Sequence, residues 1–212
     1  MTVEITTQSQ KSKPIGRTSP LQGYAGRLAE LPQGVTVREV PFLTQLDVRV
    51  DPAGPEAAEA ARVLGVALPT TANTAVSGAD GVEVLWLGPD EWLVVAPPDQ
   101  AALEPALREA LGSAGVVVDV SAHRTTIAVS GPLTRDVLAR GCSLDLDPRV
   151  SPAGTCVQTL LALTGVVLVV RDDVTRDGGG EVRLLVRSSF ARYLADWLLD
   201  ACREYEDDSS WQ

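Results

Sequence analysis

The body of this chain repeats one order of sequence patterns, and an internal duplication constrains a fold more than any single short motif. "LDVRVDPAGPEAAEAARVLGVALP" reads as an alternating strand, a Pro/Gly break, a helix, then a loop closing on Leu68-Pro69. "TIAVSGPLTRDVLARGCSLDLDP" reads the same way, with Gly131-Pro132 at a helix start, Gly141 just past its end, and Leu146-Asp147-Pro148 closing the loop. Proline suits a first helical position, where its missing N–H would be unbonded anyway, and glycine suits the left-handed residue beyond a helix end. Each copy then continues as a hairpin and a final helix. These are "VEVLWLGPDEWLVVAP" with "DQAALEPALREALG", and "CVQTLLALTGVVLVVRD" plus "GEVRLLVR" with "SSFARYLADWLLDACRE". Pro105 belongs in a first turn, which predicts a helix starting near 101. In the last helix Phe190, Tyr193, Leu194, Trp197, Leu198 and Ala201 recur at three- and four-residue steps and form one apolar face, with Ser188 or Ser189 as cap. The expected class is α+β: two similar strand-helix-hairpin-helix lobes, over 19–114 and 115–204, with mixed or antiparallel sheets covered by helices. Residues 1–18 read as a flexible polar arm and 205–212 as an acidic tail.

At 212 residues the chain can bury a large core without staples. Its net charge of −10, with Lys11 and Lys13 in the arm and arginines scattered singly, excludes the basic stripe that nucleic acid requires. Neither a membrane span nor a secretory leader is indicated, so the expected location is cytoplasmic. Cys142, Cys156 and Cys202 are too few and too widely spaced for a disulfide framework or a zinc site, which predicts buried thiols.

Three stretches invite a chemical reading. Trp86 and Trp92 flank Gly88-Pro89-Asp90-Glu91, which fits a four-residue hairpin connection built on a type I turn, so neither carboxylate needs a catalytic role. The flanking strands are apolar at both parities, so both faces should be covered, either by the chain's own helices or by a partner subunit. "DVSAHRTT" holds Asp119, Ser121 and His123, the residue types of a hydrolase triad, but in a row along a strand rather than with the histidine between the other two. His123 is the sole histidine, which excludes a multi-histidine metal centre. "RDGGGEV", with Gly178 to Gly180, leads into a strand and lacks the spacing of a phosphate cradle; with Asp172, Asp173 and Asp177 it reads as a charged loop.

"SPLQGY", "VPFLTQLDVRVDP", "GPDEWLVV", "DVSAHRTTIAVSGP", "GCSLDLDPRVSPAGTCVQTLLA" and "LLVRSSFARYLADWLLDA" occur in this order from Ser19 to about Arg203. Together they resemble the gamma subunit of heterotetrameric sarcosine oxidase. The resemblance implies an oxidoreductase complex that demethylates sarcosine to glycine, yielding hydrogen peroxide and formaldehyde or methylenetetrahydrofolate. Its partners would be the alpha, beta and delta subunits. FAD, covalent FMN, NAD and tetrahydrofolate would lie in those other chains, with none here, and this chain would be a non-catalytic structural or assembly subunit.

More distantly, the family resembles the folate-binding aminomethyltransferases, whose fold holds duplicated, strand-swapped α+β subdomains. Where those proteins carry an Asn-Glu and glycine run, this chain reads "LALTGVVLVV", Leu161 to Val170, without a carboxylate to hold a pterin. The resemblance therefore implies no catalytic, cofactor or metal residues, and no catalytic role is carried over to Asp145. It does mark family-motif and interface candidates. They are Trp86, Gly88, Pro89, Asp90, Glu91 and Trp92 in the hairpin; Asp119, Ser121 and Arg124; Gly131 and Pro132; Gly141, Cys142 and Asp145; and Gln158 and Trp197. Exposed, tryptophan-rich apolar surface would be the interface, with Arg124 and Arg140 adding ion pairs. The alternatives are a free-standing folate-binding one-carbon transfer protein and a regulatory binding module.

Overall fold

The computed structural model describes residues 16–175 and 180–205. After a short helix α1 (Ala25–Ala29), the first half runs β1 (Thr36–Val40), β2 (Thr44–Arg49), α2 (Pro55–Leu64), β3 (Ala75–Ser77), β4 (Glu83–Gly88), β5 (Glu91–Ala96) and α3 (Leu103–Leu111). The second half repeats that order as β6 (Val116–Asp119), β7 (Arg124–Ser130), α4 (Thr134–Ala139), β8 (Cys156–Leu161), β9 (Thr164–Val170), β10 (Glu181–Arg187) and α5 (Ala191–Cys202). Each half thus carries a three-stranded meander, one strand more than the single hairpin expected in the first.

The strands form two five-stranded sheets, ordered β3-β4-β5-β2-β6 and β8-β9-β10-β7-β1, and every pairing between named strands is antiparallel. The opening strand of each half crosses to the other half's sheet: β1 pairs with β7, and β6 with β2. Neither sheet is therefore drawn from 19–114 or 115–204 alone. The exchange holds the halves together through backbone hydrogen bonds as well as side-chain packing. The arm and the tail lie outside the described residues except at 16–18 and 205, as do Asp177, Gly178 and Gly179.

Strand alternation sorts side chains into layers. Leu46, Val48, Val84, Trp92 and Val94 point outward from the first sheet and pack with Ala60, Leu64, Leu107 and Leu111 of α2 and α3. On the second sheet Ile127, Val129, Leu168 and Leu184 pack with Val137 and Leu138 of α4 and Leu194 and Leu198 of α5. Between the sheets Leu85, Leu93 and Val95 meet Cys156, Val167, Val169 and Leu185. Helices outside and two sheets face to face account for the strands being apolar at both parities.

Helix ends follow the sequence signals unevenly. Pro55 opens α2 and Gly65 closes it in the left-handed region at φ 70°. Helix α3 begins at Leu103, two residues later than expected, with Pro105 in its first turn. Pro132, by contrast, precedes the cap residue Leu133 rather than opening α4. Gly141 is not left-handed; it is small because Trp197 of α5 lies against it, and a Cβ there would stand 2.5 Å from the indole. At the start of α5 a 3-10 turn, Ser188–Phe190, occupies the cap position. The Ser188 hydroxyl donates instead to the Ala122 carbonyl at 2.9 Å.

Candidate functional site

The tryptophan hairpin is structural on its outer side. Trp86 and Trp92 are direct cross-strand partners, with a register shift before Gly88, and only Pro89 and Asp90 separate the strands, a shorter loop than the four residues expected. Trp92 is fully buried under the helices, and its Nε1–H donates to the Pro69 carbonyl at 2.8 Å. The chain's own helices thus cover this face, and among the described residues tryptophan is not an exposed surface. Glu91 accepts from Arg49 of β2 at 2.6 Å, and Asp90 lies 4.0 Å from the same guanidinium, so both carboxylates brace the turn against its neighbour strand. Gln158 of β8 reaches across to donate to the Leu87 carbonyl at 3.0 Å.

Asp119, Ser121 and His123 do not assemble a triad. The Asp119 carboxylate accepts from both the Ser121 hydroxyl, at 2.6 Å, and the Ser121 N–H, at 2.8 Å, which holds it below the ordinary carboxylate range. The Ser121 oxygen in turn accepts from the Gln45 N–H at 2.9 Å, stapling the β6–β7 turn to β2. No hydrogen bond joins His123 to either among the described residues. Burial, then repulsion from Arg124 and Arg187, holds its imidazole below the usual value.

The remaining motif residues serve local structure. The Asp145 carboxylate accepts from the Asp147 N–H at 2.9 Å, and Asp147 pairs with Arg135 and Arg149. Gly131, at φ 106°, lets its backbone approach Gly34, where a Cβ would stand 2.5 Å from the carbonyl oxygen. Cys142, Cys156 and Cys202 are buried, and burial followed by the Glu83 charge pushes the Cys156 thiol up to about 12. Asp173 accepts from the Ala153 N–H at 2.7 Å, and no His/Cys/Asp/Glu group able to hold a metal forms among the described residues. No helix described is long and apolar enough to cross a membrane. Arg140 pairs with Glu204 and lies over the Tyr205 ring, so it is engaged within the chain.

What sequence reasoning missed lies at one end of the layer between the sheets. Arg124 of β7 and Arg187 of β10 are direct cross-strand partners on the inward face, and no carboxylate is within ion-pair distance of either among the described residues. Beside them a depression of about 440 Å³ is lined by Gln158, Leu160, Gly165 and Phe190. The inward face of β8 exposes Leu160, and Phe190 and Tyr193, which helical periodicity puts on one apolar face with buried residues, are exposed as well. An alternating strand pattern does show that Arg187 shares a face with Leu185. It cannot show that the opposing sheet stops short of it.

Comparison with known proteins bears on what such a surface serves. The sarcosine oxidase gamma subunit family model matches residues 49–204. The chain belongs to the sarcosine oxidase gamma subunit family. Curated family members include the gamma subunits of Corynebacterium sp. strain P-1, 36% identical over 91% of this chain and 93% of that one, and of Arthrobacter sp., 34% identical over 89% and 91%. A chain of the heterotetrameric sarcosine oxidase of Corynebacterium sp. U-96, solved in complex with pyrrole 2-carboxylate, superposes with a TM-score of 0.80 at 37% identity, over 89% of this chain and 96% of that one. The glycine cleavage aminomethyltransferase T of Bartonella henselae, 17% identical, matches with a TM-score of 0.57 over 82% of this chain and 48% of that one, a likeness of fold. This chain and that part of the aminomethyltransferase thus share a fold.

Proposed function

We propose that this gamma-family chain is an assembly subunit of a heterotetrameric oxidase that demethylates sarcosine, and that the chemistry is carried by companion alpha, beta and delta chains holding FAD, FMN, NAD and tetrahydrofolate. One observation carries the non-catalytic role. The space between the sheets is filled by Leu85, Leu93, Val95, Val167, Val169 and Leu185, all at most 4% exposed. The stretch Leu161 to Val170, where the folate-binding relatives carry acidic residues, forms a tight turn and the valine-rich strand β9. A packed apolar layer there supports the reading of a scaffold that presents surface rather than a reaction chamber. The same reading places the chain in the cytoplasm.

The test is turnover of the assembled complex. Asp90→Asn with Glu91→Gln is expected to keep sarcosine-dependent peroxide formation within about threefold once assembly is matched; a loss of orders of magnitude would overturn the non-catalytic reading. Titration of the purified chain with tetrahydrofolate is expected to show no saturable binding, and tight binding would favour a one-carbon transfer protein instead.

A further inference from the structure

Six of the seven large apolar side chains exposed among the described residues lie on β6, β8, the β8–β9 turn and the start of α5, and the seventh, Val150, stands apart in the loop between α4 and β8. Leu160 (63% exposed) and Leu163 (86%) lie on β8 and the β8–β9 turn, and Phe190 (45%) and Tyr193 follow at the start of α5. Val116 and Val118 of β6 sit on the inward face of the first sheet, opposite Arg49 and Asp47, and are exposed as well. At this end the inward faces of the two sheets leave each other uncovered, which is why residues patterned for an interior meet solvent. Such a concentration marks an interaction surface on a folded chain.

Leu163 is held outward by more than chance. Leu161 pairs with Thr164, so Ala162 and Leu163 form a two-residue loop. Ala162 takes φ 53°, a position where glycine is usual and a Cβ is strained. The Leu163 N–H donates to the Tyr193 hydroxyl at 3.2 Å, pinning the tip to α5. Leu163 lines the rim of the depression, but at 86% exposed it projects most of its side chain beyond anything small enough to sit inside. It suits a pocket on another protein.

The charge at the centre says what that protein brings. Arg124 and Arg187 are neighbours of like sign in a chain of net charge −10. Burial and Arg187 both act against the charged form of Arg124, while Asp47 and Glu91 act only at a distance. Two guanidiniums side by side, without an ion pair among the described residues, match one carboxylate accepted by both. We propose that this open end of the sandwich is the docking surface for a companion subunit of the oxidase, which places a carboxylate between Arg124 and Arg187 and apolar side chains over Leu160, Leu163 and Phe190. This rests on the assembly-subunit reading above and assigns it a face and a partner chemistry.

The experiment uses the co-expressed complex, with a photo-crosslinking phenylalanine at Leu163 and, separately, the double variant Arg124→Gln/Arg187→Gln. The expected crosslink joins Leu163 to a companion-subunit segment that has Asp or Glu within a few residues. The double variant is expected to bind its companions about thirtyfold or more weakly, since it leaves a partner carboxylate desolvated and unpaired. Arg62→Gln, on α2, should bind as the parent does. The melting temperature of each isolated variant checks folding. A crosslink only to a second copy of this chain, or to no chain, together with unchanged affinity, overturns the docking proposal. Titration of the isolated chain with acetate separates a small-anion site: acetate binding that the double variant loses, with assembly unchanged, also overturns the proposal. Failure of the parent chain to associate with the companions would instead refute the assembly-subunit reading itself.

Discussion

The indole of Trp197 lies so close to Gly141 that a methyl group there would stand 2.5 Å from Cζ2 and 3.0 Å from the backbone nitrogen of Ala162. That nitrogen donates to the Gly141 carbonyl at 2.9 Å, so one glycine joins the end of α4, the β8–β9 turn and the middle of α5. Backbone and a packed ring cannot both yield. Gly141→Ala is therefore expected to destabilise the chain by about 1–3 kcal/mol, through overpacking. Thermal unfolding checks it, with a fall of roughly 2–4 °C per kcal/mol for a chain of this size; an unchanged melting temperature would contradict the contact.

Trp92 and Trp86 are expected to respond differently to the same replacement. Trp92→Phe keeps an aromatic ring but leaves the buried Pro69 carbonyl without its 2.8 Å donor, a loss of about 1–3 kcal/mol. Trp86 is half-buried and no indole hydrogen bond fixes it among the described residues, so Trp86→Phe should cost less than about 1 kcal/mol. Denaturant titration of both variants separates them, and equal losses would show that ring volume, not the indole N–H, dominates.

Cys156 is expected to be inert in the folded chain. Its thiol is pushed up to about 12 by burial and the Glu83 charge, and reagents attack only the thiolate. Labelling by a disulfide reagent at pH 8 should be orders of magnitude slower than that of an exposed thiol and should level off at high reagent at the rate of opening. A rate equal to that of the unfolded chain would place this thiol at the surface.

His123 is the sole histidine and stands next to the two arginines, which makes it a single spectroscopic reporter of their charge. Its imidazole is held below the ordinary value, first by burial and then by Arg124 and Arg187. The unfolded chain therefore binds this proton more readily, and the group's contribution to stability is lost as pH falls from about 6.5 through the folded value. Arg187→Gln should move the folded titration upward, and so should docking of an anionic segment on the pair. NMR titration of the ring resonances measures this, and a shift in the opposite direction would mean that the arginines do not govern it.

Much of this was legible in one dimension. The repeated order of strand, Pro/Gly break and helix marks a duplication, because each unit needs the same local chemistry: Pro55 to open α2, Gly65 to close it, alternating apolar residues to face a sheet. The apolar parity of 82–95 already required cover on both faces. Local pattern failed where a residue's role is set by something distant. Gly141 reads as a helix terminator until Trp197 is seen beside it. Phe190 and Tyr193 keep helical spacing with the core residues, yet the neighbouring elements do not cover them.

By itself the sequence determined the class of fold, its duplication, the layers into which most side chains sort, and the family, since these depend on short-range periodicity, turn chemistry and shared motifs. A strand swap entered only as what the family resemblance implies; the tertiary structure decided that it is β1 and β6 that trade sheets. Strand pairing is chosen by backbone hydrogen bonds between segments far apart in the chain, which no local pattern encodes. The same long-range choice decides where the sheets stop covering each other, and so leaves the inward-facing Arg124 and Arg187, with Leu163 beside them, at an open end of the layer.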